Sequence, residues 1–424
     1  MKKEFTFIDL FSGIGGFNMA LSNNGGKCIN FSEINKDAIN TYCENYKEKP
    51  ENNLGDITKV KELPKHDILT AGVPCQSWSI AGKNLGFDDD RGKLWNDTIY
   101  LLKQSQPKAF VFENVKGLVD PRNKESFSYI LNRIKQAGYY AKHYVINSFD
   151  YGVPQNRIRV YIVGFKKKKY LDDFILPKPS ENKIKLADIL SVNIPKEKEN
   201  ISLNRQMSLS SKNGFNDYFL FNDLRNGHST IHSWDILKTS ERQKEICLTI
   251  LKNRRKNQFG KLDGNPLSLK QLKTLDSSIF KKELDELVIL NVLKKIIEID
   301  EIKYEFKNTK ISSGLSGVNR IFLPTSDVFP TLVASDTNDY VTLKTLKKEN
   351  HKDYKNDFLN EIYFSKNYRK IYKEEACLIQ GFPKDFKLPE TRTRWMKLIG
   401  NSVSVSVVDV IVKTIIKTGV FKTK

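Results

Sequence analysis

Between residues 5 and 165 the chain alternates short β-branched or aromatic runs with longer amphipathic runs, and this alternation constrains the fold more than any other feature. Strand-like runs separated by segments of helical length predict parallel strands, because a parallel pair needs a long crossover connection. We expect strands at residues 6–10, 28–32, 53–54, 67–71, 109–112, 140–146 and 159–165. We expect helices at 17–23, 37–46, 94–103 and 126–136. The pattern predicts an α/β fold built on an open parallel sheet.

The alternation stops after the lysine run 166–169 and the prolines Pro177 and Pro179. From there to about residue 330, polar loops are mixed with basic stretches, which indicates a second domain. Compact apolar segments return from about Tyr368. Within these two regions the sequence predicts helices at 240–257, 267–299 and 402–418, and short strands at 303–306 and 319–323.

The chain carries a large excess of positive charge: Lys and Arg number 70 against 50 Asp and Glu, which gives a net charge of +20 at pH 7. Such a surface favours a polyanionic partner, because Lys and Arg that bind phosphates release counterions. The chain also has 25 Phe and 17 Tyr, too many for a disordered basic tail. The composition therefore indicates a folded, basic protein.

Five cysteines with no C-x-x-C pair and only five histidines argue against a disulfide framework or a zinc site. We therefore expect no metal and a reducing compartment, the cytoplasm. Glu4 and Asp9 interrupt the first apolar run, which argues against a secretory signal. Charged residues also interrupt the apolar stretch 403–420, so we expect no membrane helix.

Glycine and acidic residues follow the first three predicted strands. In open α/β sheets ligands bind outside the carboxyl ends of the strands. A glycine loop, residues 11–17, follows the first strand, Glu33 ends the second, and Asp56 follows the third. A lone glycine loop serves many tight turns, and an isolated carboxylate is commonly a helix cap. The three features together favour a pocket for a nucleoside cofactor.

The fourth and fifth predicted strands end in residues suited to chemistry. Pro74 and Cys75 follow the fourth strand, and Glu113 ends the fifth. Cysteine is most often a buried apolar residue, but a strand-end thiol that follows a proline has the fixed direction a nucleophile needs. Opposite such a thiol, Glu113 is a candidate general acid. Residues 76–93 indicate a mobile lid or, alternatively, an ordinary polar surface loop.

Six ordered segments resemble the motifs of the DNA cytosine-5 methyltransferases of bacterial restriction-modification systems. They are FIDLFSGIGGF (7–17), GVPCQSWSIAGK (72–83), ENV (113–115), QNRIR (155–159), EACLIQGFP (375–383) and GNSV (400–403). The resemblance covers residues 1 to about 170 and about 365 to 424. It implies an S-adenosylmethionine-dependent, Rossmann-like sheet with helices on both faces and a smaller, mixed target-recognition domain.

The resemblance also implies the division of the chain and its partners. Residues 1–180 would form the first part of the catalytic domain, 181–332 the target-recognition domain, and 333–424 the segment that completes the catalytic domain. The substrate would be double-stranded DNA, whose target cytosine rotates out of the duplex. A cognate restriction endonuclease would be a functional partner, and we expect a monomer.

Individual site residues follow from the motifs by resemblance. S-adenosylmethionine would be bound by Phe11, Gly13, Gly15, Glu33, Ile34, Asp56, Pro74, Asn401 and Val403. Within this set, Glu33 would bind the ribose, while Phe11 and Ile34 flank the adenine. For catalysis, the Cys75 thiolate would add to carbon 6 of cytosine and a protonated Glu113 would contact ring nitrogen 3. Arg157 and Arg159 would hold the base and its phosphate.

Three other functions remain open at this level. A transfer RNA cytosine-5 methyltransferase would use the same fold and thiol, although the large basic middle domain favours DNA. A nicotinamide dehydrogenase would explain the glycine loop and Glu33, but it assigns no role to Cys75 or Glu113. A non-catalytic DNA-binding regulator would explain the charge, but not the catalytic residues.

Overall fold

The computed structural model describes residues 5–74, 90–181, 184–193, 216–298, 301–307, 318–347 and 350–422. Contacts divide the chain into two compact units. Unit 1 comprises Met1–Ile189, Asp327–Thr337 and Tyr372–Lys424. Unit 2 comprises Leu190–Ser326 and Asn338–Ile371.

Strands and helices alternate through unit 1, whereas unit 2 mixes short strands with short helices. In chain order, the strands of the described residues are Phe5–Leu10 (β1), Gly26–Ser32 (β2), Ile68–Gly72 (β3), Ala109–Val115 (β4), Tyr140–Asn147 (β5), Gln155–Asn156 (β6), Ile158–Phe165 (β7), Tyr218–Phe221 (β8), Thr230–Ile231 (β9), Leu267–Ser268 (β10), Leu293–Glu298 (β11), Glu301–Phe306 (β12), Arg320–Phe322 (β13), Phe329–Pro330 (β14) and Asp339–Val341 (β15). The α-helices are Gly16–Asn23 (α1), Lys36–Tyr46 (α2), Asp90–Ser105 (α3), Lys124–Gln136 (α4), Lys168–Asp172 (α5), Leu186–Leu190 (α6), Ser233–Ile236 (α7), Glu241–Asn253 (α8), Leu269–Leu275 (α9), Lys281–Ile289 (α10), His351–Asp357 (α11), Lys373–Gln380 (α12), Arg392–Asn401 (α13) and Val405–Lys417 (α14), and a π-helix spans Phe358–Phe364.

A six-stranded sheet in the order β2-β1-β3-β4-β7-β5 forms the centre of unit 1. The first four strands are parallel, as predicted, but β7 is antiparallel to both β4 and β5. The prediction of a wholly parallel sheet is therefore wrong at this edge. The cause is the short connection from β5 to β7, which cannot make the long crossover that parallel strands require. The strand predicted near residue 53 is a single bridge between Phe31 and Asn53.

Helices cover both faces of this sheet. Successive residues of a strand point to opposite faces, and in β4 both Phe110 and Val111 are fully buried. The face that includes Phe110 packs with Trp95 of α3 and Ile130 of α4 in one apolar cluster. Helix α14 packs against α1 within the same unit. The predicted Rossmann-like arrangement, with helices on both faces, is confirmed.

The C-terminal helices α13 and α14 belong to unit 1. The predicted helix 402–418 is confirmed as α14, which is separated from α13 by Ser402–Ser404. By length and composition alone, Arg392–Lys417 could cross a membrane, yet 67% of its most apolar window is buried within the protein. That burial is typical of helices in a protein core.

Residues 338–371 lie in unit 2, whereas the sequence grouped them with the C-terminal catalytic segment. Strand β15 pairs with β13, and the ring of Phe358 stacks on Phe219 with centroids 3.7 Å apart. Tyr354 is fully buried in the same apolar cluster. Strand pairing and aromatic packing therefore hold this segment in unit 2, and its position in the sequence does not reveal them.

Unit 2 contains two small sheets, ordered β15-β13-β8-β9 and β10-β12-β11. The helix predicted at 240–257 is confirmed as α8, but the long helix predicted at 267–299 is wrong. That segment forms β10, α9, α10 and β11. The chain leaves the helical conformation after α10 at Asn291, whose φ is 61°, and β11 then pairs with β12 along its whole length. The tertiary pairing overrides a weak helical pattern.

Candidate active site at the strand ends of unit 1

The glycine loop after β1 has backbone conformations that its glycines make possible. Gly13 and Gly15 have φ values of 54° and 84°, and Phe11 also has a positive φ, 51°. A Cβ atom on Gly15 would lie 2.3 Å from the Tyr46 ring, whose hydroxyl donates a hydrogen bond to the Gly15 carbonyl at 2.5 Å. Only glycine fits this close approach. Tyr46 is a site residue that the sequence analysis missed.

Glu33, at the end of β2, is bound to the glycine loop. Its Oε2 accepts a hydrogen bond from the backbone N–H of Gly13 at 2.9 Å. Its Oε1 accepts from the N–H groups of Ile34 and Asn35, both at 2.8 Å. The carboxylate is therefore fixed in direction before any ligand binds. The Ile34 side chain beside it is 73% exposed, so an apolar surface adjoins the carboxylate.

Asn53 joins the end of β2 to the segment that carries Asp56. Its Oδ1 accepts hydrogen bonds from the N–H groups of Glu33 and Gly55, both at 3.0 Å, and its Nδ2 donates to the Glu33 carbonyl at 3.0 Å. Asp56 accepts hydrogen bonds from the backbone and hydroxyl of Thr58, which lower the pKa of its carboxyl group. Asn53 therefore places Asp56 on the same side of the sheet edge as Glu33.

The GNSV segment reaches the glycine loop from the C-terminal part of unit 1. A Cβ atom on Gly16 would lie 2.7 Å from Val403 Cγ2 and 2.8 Å from Ser402 Oγ. Val403 is buried, whereas Asn401 ends α13 with an exposed side chain. The structure thus brings Val403 to the glycine loop, and its contact with the cofactor stays a prediction.

These residues suit a nucleoside-containing ligand such as S-adenosylmethionine. Glu33 provides a carboxylate for ribose hydroxyls, and exposed Ile34 provides an apolar surface for a base. In addition, the buried hydroxyl of Ser12, in the glycine loop, has no hydrogen-bond partner within the part of the chain that the structure describes. A buried hydroxyl without a partner is costly, and a bound polar ligand would satisfy it.

The end of β3, which leads to Pro74, lies beside the Glu-Asn-Val segment at the end of β4. Gly72 and Glu113 are partners in the parallel pairing of these strands. The buried side chain of Asn114 donates a hydrogen bond from Nδ2 to the Val73 carbonyl at 3.1 Å. Pro74 is half-buried at the end of this stretch. Cys75 and residues 76–89 of the predicted lid lie outside the described residues.

Glu113 is a buried carboxyl group that forms an ion pair with Arg159. Its exposure is 9%, and its Oε1 lies 3.1 Å from Arg159 Nε. Burial raises the pKa of Glu113, and the positive charges of Arg159 and Arg157 oppose part of that increase. The group is therefore easier to protonate than an ordinary glutamate, as its predicted role as an acid requires.

Arg157 lies deeper than Arg159 and contacts backbone atoms. It is only 2% exposed, and its guanidinium donates to the carbonyls of Leu332, Gly400 and Ser402 at 2.8, 3.1 and 2.7 Å. These contacts are those of a residue that anchors three chain segments. These three hydrogen bonds show a positioning role for Arg157, and its predicted contact with the base stays a prediction.

Two buried glutamines extend the same network. Gln155 Nε2 donates to the Ile379 carbonyl at 2.9 Å and to Gln380 Oε1 at 2.8 Å, while its Oε1 accepts from the Leu332 N–H at 3.1 Å. Gln380 in turn donates to the Ser402 carbonyl at 2.7 Å. Motifs far apart in the sequence thus meet through buried amides that the sequence analysis did not single out.

A mixed α/β sheet that presents a glycine loop, Glu33 and buried Glu113 at its strand ends defines a methyltransferase domain of the S-adenosylmethionine-dependent class. The family model for C-5 cytosine-specific DNA methylases matches residues 5–417. The chain belongs to this family and is a DNA cytosine-5 methyltransferase. A nicotinamide dehydrogenase and a non-catalytic regulator are thereby excluded.

Relatives and solved structures agree with this assignment. The chain is 43% identical over 419 residues to the Type II methyltransferase M.HgiBI of Herpetosiphon aurantiacus, covering 96% of this chain and 95% of the relative. It is 33% identical over 455 residues to M.NlaIV of Neisseria lactamica, covering 98% and 100%. The structure of the methyltransferase EhMeth of Entamoeba histolytica shares the fold, with a TM-score of 0.53, 16% identity and coverage of 98% and 99%. The predicted restriction-modification type of cytosine-5 methyltransferase is confirmed.

Proposed function

We propose that this enzyme methylates carbon 5 of a cytosine rotated out of duplex DNA, with Cys75 as nucleophile, Glu113 as acid and S-adenosylmethionine as methyl donor. The observation that carries the residue assignment is the position of Glu113. It is buried, its pKa is raised, and it pairs in register with Gly72, three residues before Cys75. A carboxyl group with a raised pKa, on the strand next to the one that leads to a thiol, suits nucleophilic addition to a base.

The nucleophilic step follows from the weakness of cytosine carbon 5 as a nucleophile. The sulfur electron pair of the Cys75 thiolate forms a bond to carbon 6, which breaks the aromatic system. Glu113 donates a hydrogen bond to ring nitrogen 3 and stabilises the charge that develops there. Arg159 contacts one carboxyl oxygen of Glu113, so the second oxygen carries the proton toward the base. Carbon 5 then has the electron density of an enamine.

S-adenosylmethionine supplies an electrophilic methyl group on its sulfonium sulfur. Glu33 would accept hydrogen bonds from the ribose, and Phe11 and Ile34 would flank the adenine. Gly13 and Gly15 keep the loop backbone free of side chains, and the remaining cofactor contacts would come from Asp56, Pro74, Asn401 and Val403. After methylation the carbon 5 proton passes to a base such as water, the carbon 6–sulfur bond breaks, and its electron pair returns to Cys75.

Unit 2 would read the target sequence, and the net charge of +20 would favour binding to DNA phosphates. As in a Type II system, the functional partner would be a restriction endonuclease that the methylation blocks, and the enzyme would act as a cytoplasmic monomer.

The role of unit 2 in reading the target sequence can be tested by exchange of the unit. Residues 190–326 together with 338–371 are replaced by unit 2 of a relative with another specificity. The methylated site, read by bisulfite sequencing, should change with unit 2. Methylation that stays at the original site in a folded chimera would contradict it.

The nucleophile can be tested by covalent trapping with duplex DNA that carries 5-fluorocytosine at the methylated site. Fluorine cannot leave as a proton, so wild-type protein should stay attached through Cys75 and form a denaturant-resistant adduct. Cys75→Ala should form none. Cys43→Ala is the matched control, because Cys43 is a free, half-buried cysteine in α2. An adduct with Cys75→Ala would disprove the mechanism.

The nucleic acid substrate can be tested by transfer of tritium from labelled S-adenosylmethionine. We expect label in duplex DNA and none in transfer RNA. Label in transfer RNA alone would favour the RNA methyltransferase that the sequence leaves open.

A further inference from the structure

We propose that residues 241–307 of unit 2 form a winged helix-turn-helix that binds duplex DNA through α9 and α10. The element order is α8, β10, α9, α10, β11, β12. The strands pair in the order β10-β12-β11, all antiparallel, so the first strand pairs with the last. Three helices with a three-stranded sheet in this order are the topology of a winged helix. This inference rests on the proposal that unit 2 binds DNA.

The segment has an apolar core of its own. The buried members of this cluster are Leu224, Trp234, Ile246, Cys247, Ile250, Leu251, Leu267, Leu272, Ile279, Leu284, Leu287, Val292, Leu293, Tyr304 and Phe306. All except Leu224 and Trp234 come from residues 246–306. Each of the three helices and each of the three strands contributes at least one side chain. The six elements therefore pack as one subdomain.

Helices α9 and α10 form the helix-turn-helix. The turn between them is closed at Asp276, whose Oδ1 accepts hydrogen bonds from the Ser278 N–H at 3.0 Å and hydroxyl at 2.6 Å. Helix α10 then begins with Glu283 accepting from the Phe280 N–H at 2.8 Å. Leu284 and Leu287 of α10 face the core and are fully buried. In helix-turn-helix proteins the second helix enters the major groove and the first crosses the backbone.

The sequence of α10, KKELDELVI, contains three carboxylates, which alone would argue against DNA. Each of them has a partner inside the subdomain. Glu283 pairs with Arg242 at 3.3 Å, and Glu286 accepts a hydrogen bond from Gln243 at 3.1 Å, so both contact α8. Asp285 pairs with Lys295 of β11 at 2.9 Å. These carboxylates are therefore directed toward α8 and the sheet.

Exposed lysines distinguish the helix-turn-helix surface. Lys270 and Lys273 of α9 and Lys281 and Lys282 of α10 are all exposed. No ion pair within 4.0 Å involves any of the four among the residues that the structure describes. Two of them start α10, the end of a recognition helix that meets the base edges and phosphates. These four lysines are the phosphate-binding groups of the proposal.

The wing carries the opposite charge. Glu298 and Glu301 are partners at the end of the β11–β12 pairing, and Lys303 forms an ion pair with Glu298. Carboxylates at this end of the two strands would repel phosphates. We therefore assign DNA contact to the two helices and not to the wing.

The test compares two double variants of the full-length protein. Lys281→Gln/Lys282→Gln removes two of the exposed charges. Lys294→Gln/Lys307→Gln is the matched control, because these lysines bind Glu305 at 3.1 Å and Asn291 at 2.6 Å. The dissociation constant for a duplex containing the methylated site is measured by fluorescence anisotropy at several salt concentrations. Circular dichroism checks that both variants fold.

We expect Lys281→Gln/Lys282→Gln to bind DNA at least roughly tenfold more weakly than wild type. The slope of log K against log salt should become less steep by about 1 to 2, since each phosphate contact contributes about 0.9 to its magnitude. The dissociation constant of the Lys294→Gln/Lys307→Gln control should stay within about twofold of wild type, because that variant loses no proposed phosphate contact. If Lys281→Gln/Lys282→Gln does not fold, Lys270→Gln/Lys273→Gln on α9 is measured in its place, with the same expected result. Unchanged affinity and slope in a folded variant, with trapping of 5-fluorocytosine intact, would overturn the assignment of DNA contact to α9 and α10 and leave the proposed function in place. Failure of wild type to bind or trap duplex DNA would instead contradict the proposed function.

Discussion

Asn114 Nδ2 lies 3.1 Å from the carbonyl oxygen of Val73 and donates a hydrogen bond to it. Both residues are buried, at 1% and 2% exposure. Asn114 follows Glu113 on β4, and Val73 is two residues before Cys75. One side chain therefore connects the strand that carries the proposed acid to the backbone that leads to the proposed nucleophile.

Asn114→Ala should lower the rate of methyl transfer while leaving S-adenosylmethionine affinity unchanged. The variant leaves the buried Val73 carbonyl without its donor, which costs about 1–3 kcal/mol and frees the backbone before Cys75. Single-turnover kinetics should show at least roughly a tenfold loss, because misplaced reacting groups slow catalysis steeply.

The control for Asn114 is Asn123→Ala, because buried Asn123 also donates to a backbone carbonyl of unit 1, that of Gly117, at 2.7 Å. Asn123→Ala should lower the free energy of unfolding by a similar amount and leave the rate of methyl transfer unchanged. Equal rate losses in the two variants would show that general destabilisation, and not the alignment of Cys75, explains the result for Asn114.

The rate of methyl transfer should depend on the protonation of Glu113. Burial raises the pKa of this group, and only the protonated form can donate to ring nitrogen 3, so the rate should fall as pH rises through the raised pKa. Arg159 lowers that pKa. Arg159→Gln should therefore shift the descending limb of the pH-rate profile to higher pH, and Glu113→Gln should abolish the limb. A shift to lower pH in Arg159→Gln would contradict this electrostatic relationship.

Much of unit 1 could be predicted because its strands are buried on both faces. Such strands appear as short continuous apolar runs, and the observed β1 and β4 lie close to the predicted positions. The apolar pattern of β7 does not reveal its reversed direction, which follows from the short connection after β5 and not from the residues of the strand. In unit 2 the pairing of β11 with β12 prevails over the helical pattern of residues 293–298.

Some residues of the candidate site can also be recognised from the sequence, whereas the contacts of others cannot. Glu33 and Glu113 could be proposed as candidates because strand ends mark where ligands bind in α/β sheets. The hydrogen bonds of Arg157 and Gln155 could not be predicted, because their partners at Leu332, Gly400 and Gln380 are more than 170 residues away in the sequence. Hydrogen bonds of this kind become visible only after the chain has folded.

Glu33→Ala should weaken S-adenosylmethionine binding by about 1–3 kcal/mol, the usual range for loss of a charged hydrogen-bond partner. The variant also releases the Gly13 N–H from its 2.9 Å hydrogen bond, so the glycine loop loses an anchor. Isothermal titration calorimetry with the full-length enzyme measures the change. Glu125→Ala, an exposed glutamate in α4, should bind like wild type. Unchanged affinity in Glu33→Ala would remove Glu33 from the cofactor site.

Asp9 should make the stability of unit 1 depend on pH. Burial raises its pKa to about 8, although Thr70 donates a hydrogen bond to it at 2.8 Å. The unfolded state loses this proton near pH 4, so between about pH 4 and 8 only the folded state keeps it, and the free energy of unfolding falls as pH rises. In Asp9→Asn the free energy of unfolding should fall less between about pH 4 and 8, by up to about 5 kcal/mol. Urea unfolding at pH 5 and pH 8 measures it, and an equal slope in both proteins would contradict the burial effect.

Arg157→Lys should destabilise unit 1 more than it affects the chemistry of the folded enzyme. A lysine ammonium cannot reproduce the planar guanidinium that donates to the carbonyls of Leu332, Gly400 and Ser402, so at least one of these buried carbonyls would lose its donor. We expect the free energy of unfolding to fall by about 3 kcal/mol, measured by urea denaturation. Arg159→Lys is the comparison, because this side chain lies at the more exposed position beside Glu113 and should change the pH-rate profile more than the stability. A folded Arg157→Lys protein with wild-type stability that no longer traps 5-fluorocytosine would instead restore a direct role for Arg157 at the base.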